Sequence, residues 1–193
     1  MWSQLSPGLR INIFFTLLLG VVYPLLVTGI CQVAFPHQAN GSLITQGDKV
    51  IGSELIGQNF AKPEYFQPRP SAAGNDGYDP TASGGSNYGP TNQKLVDRVK
   101  SLVEKFRKEN PDYHGPIPAD LVTASASGLD PHLSPDSASA QAPRVAKARG
   151  VALDQVNQLV AQFTEPPDLG VLGEPRVNVL KLNLALDLKF PRK

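Results

Sequence analysis

A long uncharged segment near the amino terminus constrains this chain more than any other feature. No Asp, Glu, Lys or Arg occurs between Arg10 and Asp48, and residues 11–35 are almost continuously apolar. A helix rises about 1.5 Å per residue, so a segment of this length crosses a hydrocarbon layer of about 30 Å with some tilt. We therefore predict a single transmembrane helix at residues 11–35.

Two other targeting segments fit these residues less well. A secretory signal peptide has an apolar region of about 7–15 residues followed by a pair of small residues at the cleavage site, and no such pair follows here. A lipoprotein anchor at Cys31 would need a small residue where Ile30 stands. The pattern favours an uncleaved span.

The flanking charges predict the orientation of the span. Arg10 lies on its N-terminal side, whereas residues 36–47 carry no formal charge. Because cytoplasmic flanks are enriched in Lys and Arg, we expect residues 1–10 to be a cytoplasmic tail. Residues 36–193 would then form a domain outside the cytoplasm.

Small, polar or helix-bending side chains recur at every fourth residue of the span. This row consists of Asn12, Thr16, Gly20, Pro24, Thr28 and Gln32. Small residues let helix backbones approach closely in lipid, and amide side chains can hydrogen-bond across the contact. We predict that the row packs against a partner helix; the alternative is a passive anchor with scattered polar residues. Pro24 frees the Gly20 carbonyl and should kink the helix there.

The charge balance excludes several classes of function. The chain has 18 Lys and Arg against 17 Asp and Glu, and no polybasic run follows the span. Nucleic-acid binding would need clustered cations, so no nucleic-acid partner is expected. Cys31 is the only cysteine, which excludes an intrachain disulfide and a thiolate metal cluster.

The first part of the external domain reads as a hairpin, a long loop and a helix. Short β-prone runs flank the Gln46–Lys49 turn within residues 41–60, which predicts a hairpin. Residues 62–92 are rich in Pro, Gly, Ser and Asn and predict a loop, with aromatic residues that favour a packed one. An apolar stripe predicts a helix over residues 93–108, with Asn92 as its cap.

The second part predicts two more helices and an ambiguous tail. Ser134-Pro135 opens a helix that Gly150 ends, and Pro143 must bend or restart it. A short third helix over residues 153–163 ends before Pro166-Pro167. Residues 177–188 are apolar on nearly every side, and we favour an extended entry that turns into a buried helix. The whole is expected to be one small α+β domain.

Two groups of residues have the side chains of a catalytic or metal site, but their spacing supports neither. Asp130, His132 and Ser134 are the ingredients of an acyl-transfer triad, but residues two apart between prolines cannot face a shared centre without a sharp turn. Asp76 and Asp79 lack the spacing of a calcium loop. We therefore predict no catalytic residue and no metal site, with Asp130 as a local turn or cap residue.

Two further segments have both a ligand-binding and a structural interpretation. The glycine-rich segment Ser83–Asn87 can cradle a phosphate, but no Gly-Lys-Ser/Thr follows, and glycines that provide positive φ in a packed loop are favoured. A polar strip on the second helix would bind an anion or form a solvated face, and the solvated face is favoured. The strip contains Gln141, Arg144, Lys147 and Arg149.

Ordered blocks along nearly the whole chain resemble the C chain of the bacterial Kdp potassium-transporting ATPase. They include Gly20–Leu26 in the span, Gln38–Ile44, Gly52–Phe60, Arg69–Ser71, Ser83–Asn87, Val122–Asp130, Arg144–Arg149, Val177–Leu180 and Leu182–Asp187. Departures are small: Pro68 stands where the family usually has Gly, and Tyr88 where Leu is common.

The resemblance implies a complex in the cell inner membrane. Its other members would be a channel-like subunit that selects potassium, a P-type subunit that hydrolyses ATP and a small single-span subunit, with membrane lipid around the span. It also implies a cytoplasmic N terminus and a periplasmic domain. The family is described as an assembly partner over the outer face of the channel-like subunit, and also as a catalytic chaperone that raises the affinity of the ATPase subunit for ATP.

The resemblance also points to residues, and topology divides the two accounts. The family's nucleotide contacts would fall on Gln141 and on the segment Ser83, Gly84, Gly85 and Ser86. ATP is cytoplasmic, so a periplasmic domain would affect its binding only through an allosteric coupling. We therefore favour a non-enzymatic subunit that binds no cofactor itself, caps the potassium entrance and stabilises the complex, which handles ATP and K⁺. Its interface loop would present Tyr65, Phe66, Arg69 and Tyr88.

Overall fold

A continuous N-terminal helical segment dominates the first part of the computed structural model, which describes residues 2–191. Helix α1 (Trp2–Leu17) leads through a π-helical turn (Leu18–Val22) into α2 (Tyr23–Ala34). The helix thus begins well before residue 11 and ends at Ala34, because Phe35 leaves helical geometry (φ −138°, ψ 58°). A one-turn helix, α3 (Pro36–Ala39), follows.

The predicted hairpin is present. Strands β1 (Leu43–Gln46) and β2 (Lys49–Ser53) are neighbours in a two-stranded sheet. Gly47 turns the chain between them with φ +61°, a conformation that glycine adopts without a Cβ clash. The chain divides into two compact units between Ile51 and Gly52, within β2.

The second unit contains four longer helices and a small sheet. After the loop come α4 (Gln93–Glu109), a 3₁₀ turn (Ala119–Leu121), β3 (His132–Leu133), α5 (Pro135–Arg149), α6 (Leu153–Gln162), β4 (Thr164–Glu165), β5 (Arg176–Asn178) and α7 (Val179–Lys189). The strands form an antiparallel sheet in the order β3-β5-β4. The predicted α+β class is confirmed.

Local signals explain the helix ends. Asn92 accepts a hydrogen bond from the Lys94 amide, and Ser134 accepts one from the Ser137 amide, so both predicted caps are confirmed. Gly150 ends α5 in the left-handed region (φ +65°). The sequence predicts that Pro143 bends or restarts α5; the helix continues through Pro143, so it does not restart there.

The core lies between α5, α6, α7 and the three-stranded sheet. Small side chains on α5 let α6 pack closely, and the tail packs on them as the extended strand β5 followed by the buried helix α7. That description of the tail is the one the sequence favoured. The core side chains include Phe66, Leu133, Ala138, Ala142, Val145, Val156, Val177, Leu182 and Leu186.

Candidate functional site

The N-terminal helix has the properties of a membrane span. From Ser3 to Ala34 it is long and apolar enough to cross a membrane, and its most apolar stretch is not buried against any other part of the described chain. Its large apolar side chains, such as Phe14, Leu25 and Ile30, are about half exposed or more. A helix that is apolar on all sides and unburied is stable only when lipid or a partner covers it.

A π-helical turn lies in the middle of the proposed partner row. The Tyr23 N–H bonds to the Leu18 carbonyl, five residues back, immediately before Pro24. In an α-helix with 3.6 residues per turn, residues spaced four apart do not stay on one side, because each step of four goes slightly beyond a full turn. A π turn holds more residues and rotates less, so it brings the row Asn12 to Gln32 back toward one side. Lipid-facing helices use such turns to re-satisfy backbone groups freed by proline.

The last member of the row has a local partner. The Gln32 and Asn40 side-chain amides exchange two hydrogen bonds of 3.3 Å, and Asn40 also donates to the Pro36 carbonyl at 2.7 Å. This pairing joins the end of α2 to the end of α3. Gln32 therefore contributes to the exit of the helix as well as to the row.

The polar strip of α5 is a clamp on the preceding loop, so its interpretation as a solvated face is wrong. Gln141 and Arg144 are 1% and 8% exposed, and the Arg149 side chain is 1% exposed. Only Lys147 lies in solvent, paired with Asp112 at 3.1 Å.

Two side-chain amides hold adjacent loop residues from different helices. Asn183 of α7 accepts from the Phe66 N–H and donates to its carbonyl, both at 2.9 Å. Gln141 of α5 accepts from the Gln67 N–H at 2.9 Å and donates to its carbonyl at 3.0 Å. Each amide thus replaces a neighbouring β-strand, which satisfies backbone groups that burial would otherwise leave unpaired.

Arg144 closes the same clamp. Its guanidinium donates to the Pro63 carbonyl at 2.6 Å, the Tyr65 carbonyl at 3.0 Å and the side chains of Asn110 and Gln141 at 2.9 and 2.6 Å. Burial lowers the pKa of Arg144 to about 10, with Glu109 opposing the shift, so the group stays charged at neutral pH. We call residues 63–67 with Gln141, Arg144 and Asn183 the loop clamp.

Arg149 and the C-terminal helix extend the clamp. Arg149 donates to the Glu64 carbonyl at 2.8 Å and pairs with Asp187 at 2.9 Å, and its guanidinium lies 5.0 Å from the centre of the Tyr65 ring. The Tyr65 hydroxyl also donates to Asp187 at 2.7 Å. The loop is therefore joined to α5 and to α7 by charge-assisted bonds.

The four residues expected to form the interface loop are in different environments. Phe66 is fully buried, so its side chain cannot meet a partner's surface, and that part of the prediction is wrong. Tyr65 contacts Arg149 and Asp187. Arg69 is partly exposed and pairs with Asp130 at 2.8 Å. Tyr88 has 38% of its surface exposed.

A second polar cluster surrounds Asp130. Burial alone would raise the pKa of this carboxyl, but hydrogen bonds from His132 and Arg69 hold it below its ordinary value. The neighbouring Tyr78 hydroxyl donates to the Arg69 carbonyl. Burial, and then the charge of Asp130, raises the pKa of Tyr78 well above its usual range. Asp130 thus fixes the turn before β3 by accepting from the His132 amide at 3.0 Å, as expected of a local turn residue.

The geometry does not form a triad. His132 Nδ1 lies 3.7 Å from Asp130, but the Ser134 hydroxyl bonds to Asp120 at 3.2 Å and caps α5. No group of three or more His, Cys, Asp or Glu side chains that could hold a metal occurs within residues 2–191.

The glycine-rich segment is packed against residues 125–128. The Gly84 N–H and the Ser83 hydroxyl both donate to the Ser127 carbonyl, at 2.9 and 3.0 Å. A Cβ on Gly85 would meet the Ala126 carbonyl at 3.0 Å. Close backbone approach therefore explains Gly85, whereas a Cβ on Gly84 would meet nothing within 4 Å. The expectation of positive φ is wrong for both glycines, since in this segment only Asn87 has positive φ.

The proposed nucleotide contacts line different surfaces. Gln141 borders a cleft of about 300 Å³ beside α4 that Phe106 and Leu121 also line. None of residues 83–86 borders this cleft in the described chain. Both polar atoms of the Gln141 amide are already hydrogen-bonded within the domain.

The sequence missed the clamp because a polar strip on a helix is typically solvated. Two signals in the sequence could have revealed the loop clamp. One is Pro143 beside the polar strip, and the other is a long loop with aromatic residues and no partner strand. A loop of some thirty residues inside a folded unit must satisfy its backbone with side chains.

The chain therefore consists of an α+β unit and one N-terminal helix that is long and apolar enough to cross a membrane. The family model of the K⁺-transporting ATPase c chain, KdpC, matches residues 5–188. The chain thus belongs to the KdpC family and is a subunit of a K⁺-transporting ATPase complex.

Full-length relatives agree with this assignment. The chain is 58% identical over 191 residues to the potassium-transporting ATPase KdpC subunit of Rhodospirillum rubrum, which covers 99% of this chain and 98% of the relative. It is 56% identical over 191 residues to the subunits of the same name from Beijerinckia indica and Myxococcus xanthus. Those matches cover 99% and 98% of this chain and 96% and 90% of the relatives.

Proposed function

We propose that this chain is a non-enzymatic accessory subunit of the ATP-driven potassium uptake complex. Its N-terminal helix crosses the inner membrane with the N terminus in the cytoplasm, and its folded domain lies in the periplasm. The domain docks on the potassium-channel-like subunit, caps the potassium entrance and stabilises the assembly. The P-type ATPase subunit and the small single-span subunit complete the complex.

The observation that carries the proposal is the unburied helix of Ser3–Ala34. It needs a lipid or helix environment along its length, and it presents the row from Asn12 to Gln32, whose small and amide side chains suit a helix–helix contact. The Arg10 flank supports the orientation.

The contacts within the domain support an accessory role over direct ATP binding. Gln141 is 1% exposed, and its side-chain amide is hydrogen-bonded to Gln67 in the loop clamp. The backbone N–H of Gly84 is hydrogen-bonded to the Ser127 carbonyl. A nucleotide would have to break these bonds. An effect on ATP affinity would then act through partner subunits as a coupling free energy.

The test removes the external domain and keeps the helix. A chain truncated after Ile51 is expressed with the other subunits, and recovery of the complex and potassium-dependent ATPase activity are measured. We expect both values to fall well below those of the full chain. Unchanged recovery together with unchanged activity would contradict the proposal.

A matched variant separates the contribution of the helix. Leu at Asn12, Thr16 and Thr28 keeps the span apolar but removes the small and polar side chains of the row. We expect weaker recovery of the complex with normal membrane insertion. The triple variant Ile11→Leu, Ile13→Leu, Ile30→Leu serves as the control, because these positions lie outside the row and are already apolar.

A further inference from the structure

A short turn between β4 and β5 exposes three large apolar side chains. Leu169 is 89% exposed, Val171 81% and Leu172 57%. Outside the N-terminal helix, Leu55 and Ile56 are also adjacent and exposed, at 61% and 38%, but Leu169 and Val171 are each more exposed than either of them. We call Leu169, Val171 and Leu172 the apolar tip.

The turn is held by its own backbone. Asp168 and Leu172 exchange two backbone hydrogen bonds of 2.9 Å, and the Gly170 N–H bonds to the Pro167 carbonyl at 3.0 Å. Arg176 of β5 anchors the base by ion pairs of 3.1 Å to Asp168 and 3.2 Å to Glu165. The tip is therefore presented on a fixed base, which lowers the entropy lost when it binds.

Neither conformation nor burial accounts for the leucine at the top of the turn. Leu169 has φ +54°, a left-handed conformation that costs a leucine about 1–2 kcal/mol and that Gly or Asn adopts more easily. Its side chain gains almost nothing from burial in this unit. Strained residues cluster at functional sites, so the strain at Leu169 supports a contact with another molecule as the role of this side chain.

We propose that the apolar tip docks into an apolar pocket on the potassium-channel-like subunit of the same potassium-transporting ATPase. This inference rests on the proposed function and names the surface that the docking uses. Three aliphatic side chains on a rigid turn suit a small buried contact surrounded by polar groups. The N-terminal helix would already hold this chain in the complex, so binding of the tip would take place at a high effective concentration. The tip therefore needs only modest affinity by itself.

The charges around the tip favour a protein pocket over a lipid surface. Asp168, Glu174 and Glu165 flank it, and Arg176 is the only cation in residues 164–178. Anionic headgroups would be repelled, and the segment lacks the Lys, Trp and Tyr that typically anchor a loop at a membrane surface. The complementary partner surface is an apolar pocket with a basic or hydrogen-bond-donating rim.

Cross-linking identifies what the tip touches. Val171→Cys in a Cys31→Ser chain is labelled with a benzophenone maleimide, assembled into the complex and irradiated after purification. We expect an adduct between this chain and the potassium-channel-like subunit, located by mass spectrometry of the cross-linked peptides. An adduct only with a different subunit, with lipid or with a second copy of this chain, or no adduct, would overturn the proposal.

Substitution measures the contribution of the tip. The triple variant Leu169→Ser, Val171→Ser, Leu172→Ser is compared with Leu188→Ser, a control at an 82% exposed apolar residue on α7. We expect recovery of the other subunits after detergent washing to fall about tenfold or more for the triple variant, the scale of one interface hot spot. Recovery equal to that of the control would overturn the proposal.

Two measurements keep the outcomes distinct. The urea unfolding midpoint of the full-length triple variant in detergent should match that of the parent, since the replaced side chains are exposed. A lower midpoint would show that the triple variant acts through folding. It would overturn the proposal unless Leu169→Asn alone still reduced recovery of the other subunits. If truncation after Ile51 impairs the complex but the triple variant does not, only the tip assignment fails. If the truncation has no effect, the proposed function fails.

Discussion

Two connecting segments of the second compact unit use their side chains in opposite ways. Residues 63–67 have backbone groups held by Arg144, Gln141 and Asn183, and the Phe66 side chain is fully buried. The apolar tip has its backbone paired to itself and its side chains in solvent. A segment rich in aromatics is therefore structural here, whereas a short aliphatic turn remains available to a partner.

The largest effect is expected where one side chain serves several loop carbonyls. Arg144→Ala leaves the Pro63 and Tyr65 carbonyls without their guanidinium donor, in addition to Asn110 and Gln141. We expect the free energy of unfolding to fall by about 3 kcal/mol, since each buried unpaired polar group costs about 1–3 kcal/mol. Urea unfolding of the full chain in detergent measures it.

Lys147→Ala is the matched control for Arg144→Ala. It lies on the same helix and has a single exposed ion pair, so we expect a change within about 0.5 kcal/mol. Similar losses of unfolding free energy for the two variants would show that the hydrogen bonds of Arg144 to the loop do not stabilise the fold more than one exposed ion pair does.

A smaller loss is expected from one of the two amides. Asn183→Ala removes both hydrogen bonds to Phe66 and should lower the free energy of unfolding by about 2 kcal/mol. Combining it with Gln141→Ala in a double-mutant cycle tests whether the amides act together on adjacent residues. Strict additivity would mean that the two helices hold the loop independently.

The Asp130 cluster predicts a pH dependence in acid. Folding lowers the pKa of the Asp130 carboxyl. Its contribution to the free energy of unfolding is therefore complete above the unfolded pKa of about 3.9 and is lost as the pH falls through the folded pKa. The difference in unfolding free energy between the parent and Asp130→Asn should be constant near neutral pH and shrink below about pH 4. A difference that stays the same down to pH 2 would contradict this. Arg69→Gln should reduce the difference at neutral pH.

The smallest effect has the opposite sign. Leu169→Asn places a residue that tolerates φ near +54° in the turn, at the cost of little buried surface. We expect the free energy of unfolding to rise by about 0.5–1 kcal/mol, while binding to the complex weakens. Lower stability would show that Leu169 serves the fold itself.

Prediction from the sequence succeeded where one local signal determines the element. The uncharged run gave the apolar helix, Asn92 and Ser134 gave two helix starts, and the residues after Val177 gave an extended entry into a buried helix. It also gave the α+β class and the family. Each of these follows from periodicity, capping or ordered motifs close together in the chain.

Prediction failed where the partner is distant in sequence. Gln141 and Gln67 are 74 positions apart, and Asn183 and Phe66 are 117 apart, so no local pattern reveals the clamp. The polar strip was therefore assigned to solvent and Phe66 to an interface. The apolar tip was not predicted because Leu169, Val171 and Leu172, beside Gly170 and Gly173, are indistinguishable from an ordinary turn until their exposure is known.

The side of the membrane on which the folded domain lies tests the account most directly. Lys100→Cys on the exposed face of α4 and Ser3→Cys in the tail are each placed in a Cys31→Ser chain within the assembled complex. A maleimide that cannot cross the inner membrane is then added to cells with a permeabilised outer membrane. We predict that Lys100→Cys reacts before lysis and Ser3→Cys only after it; the reverse pattern would contradict a periplasmic docking subunit.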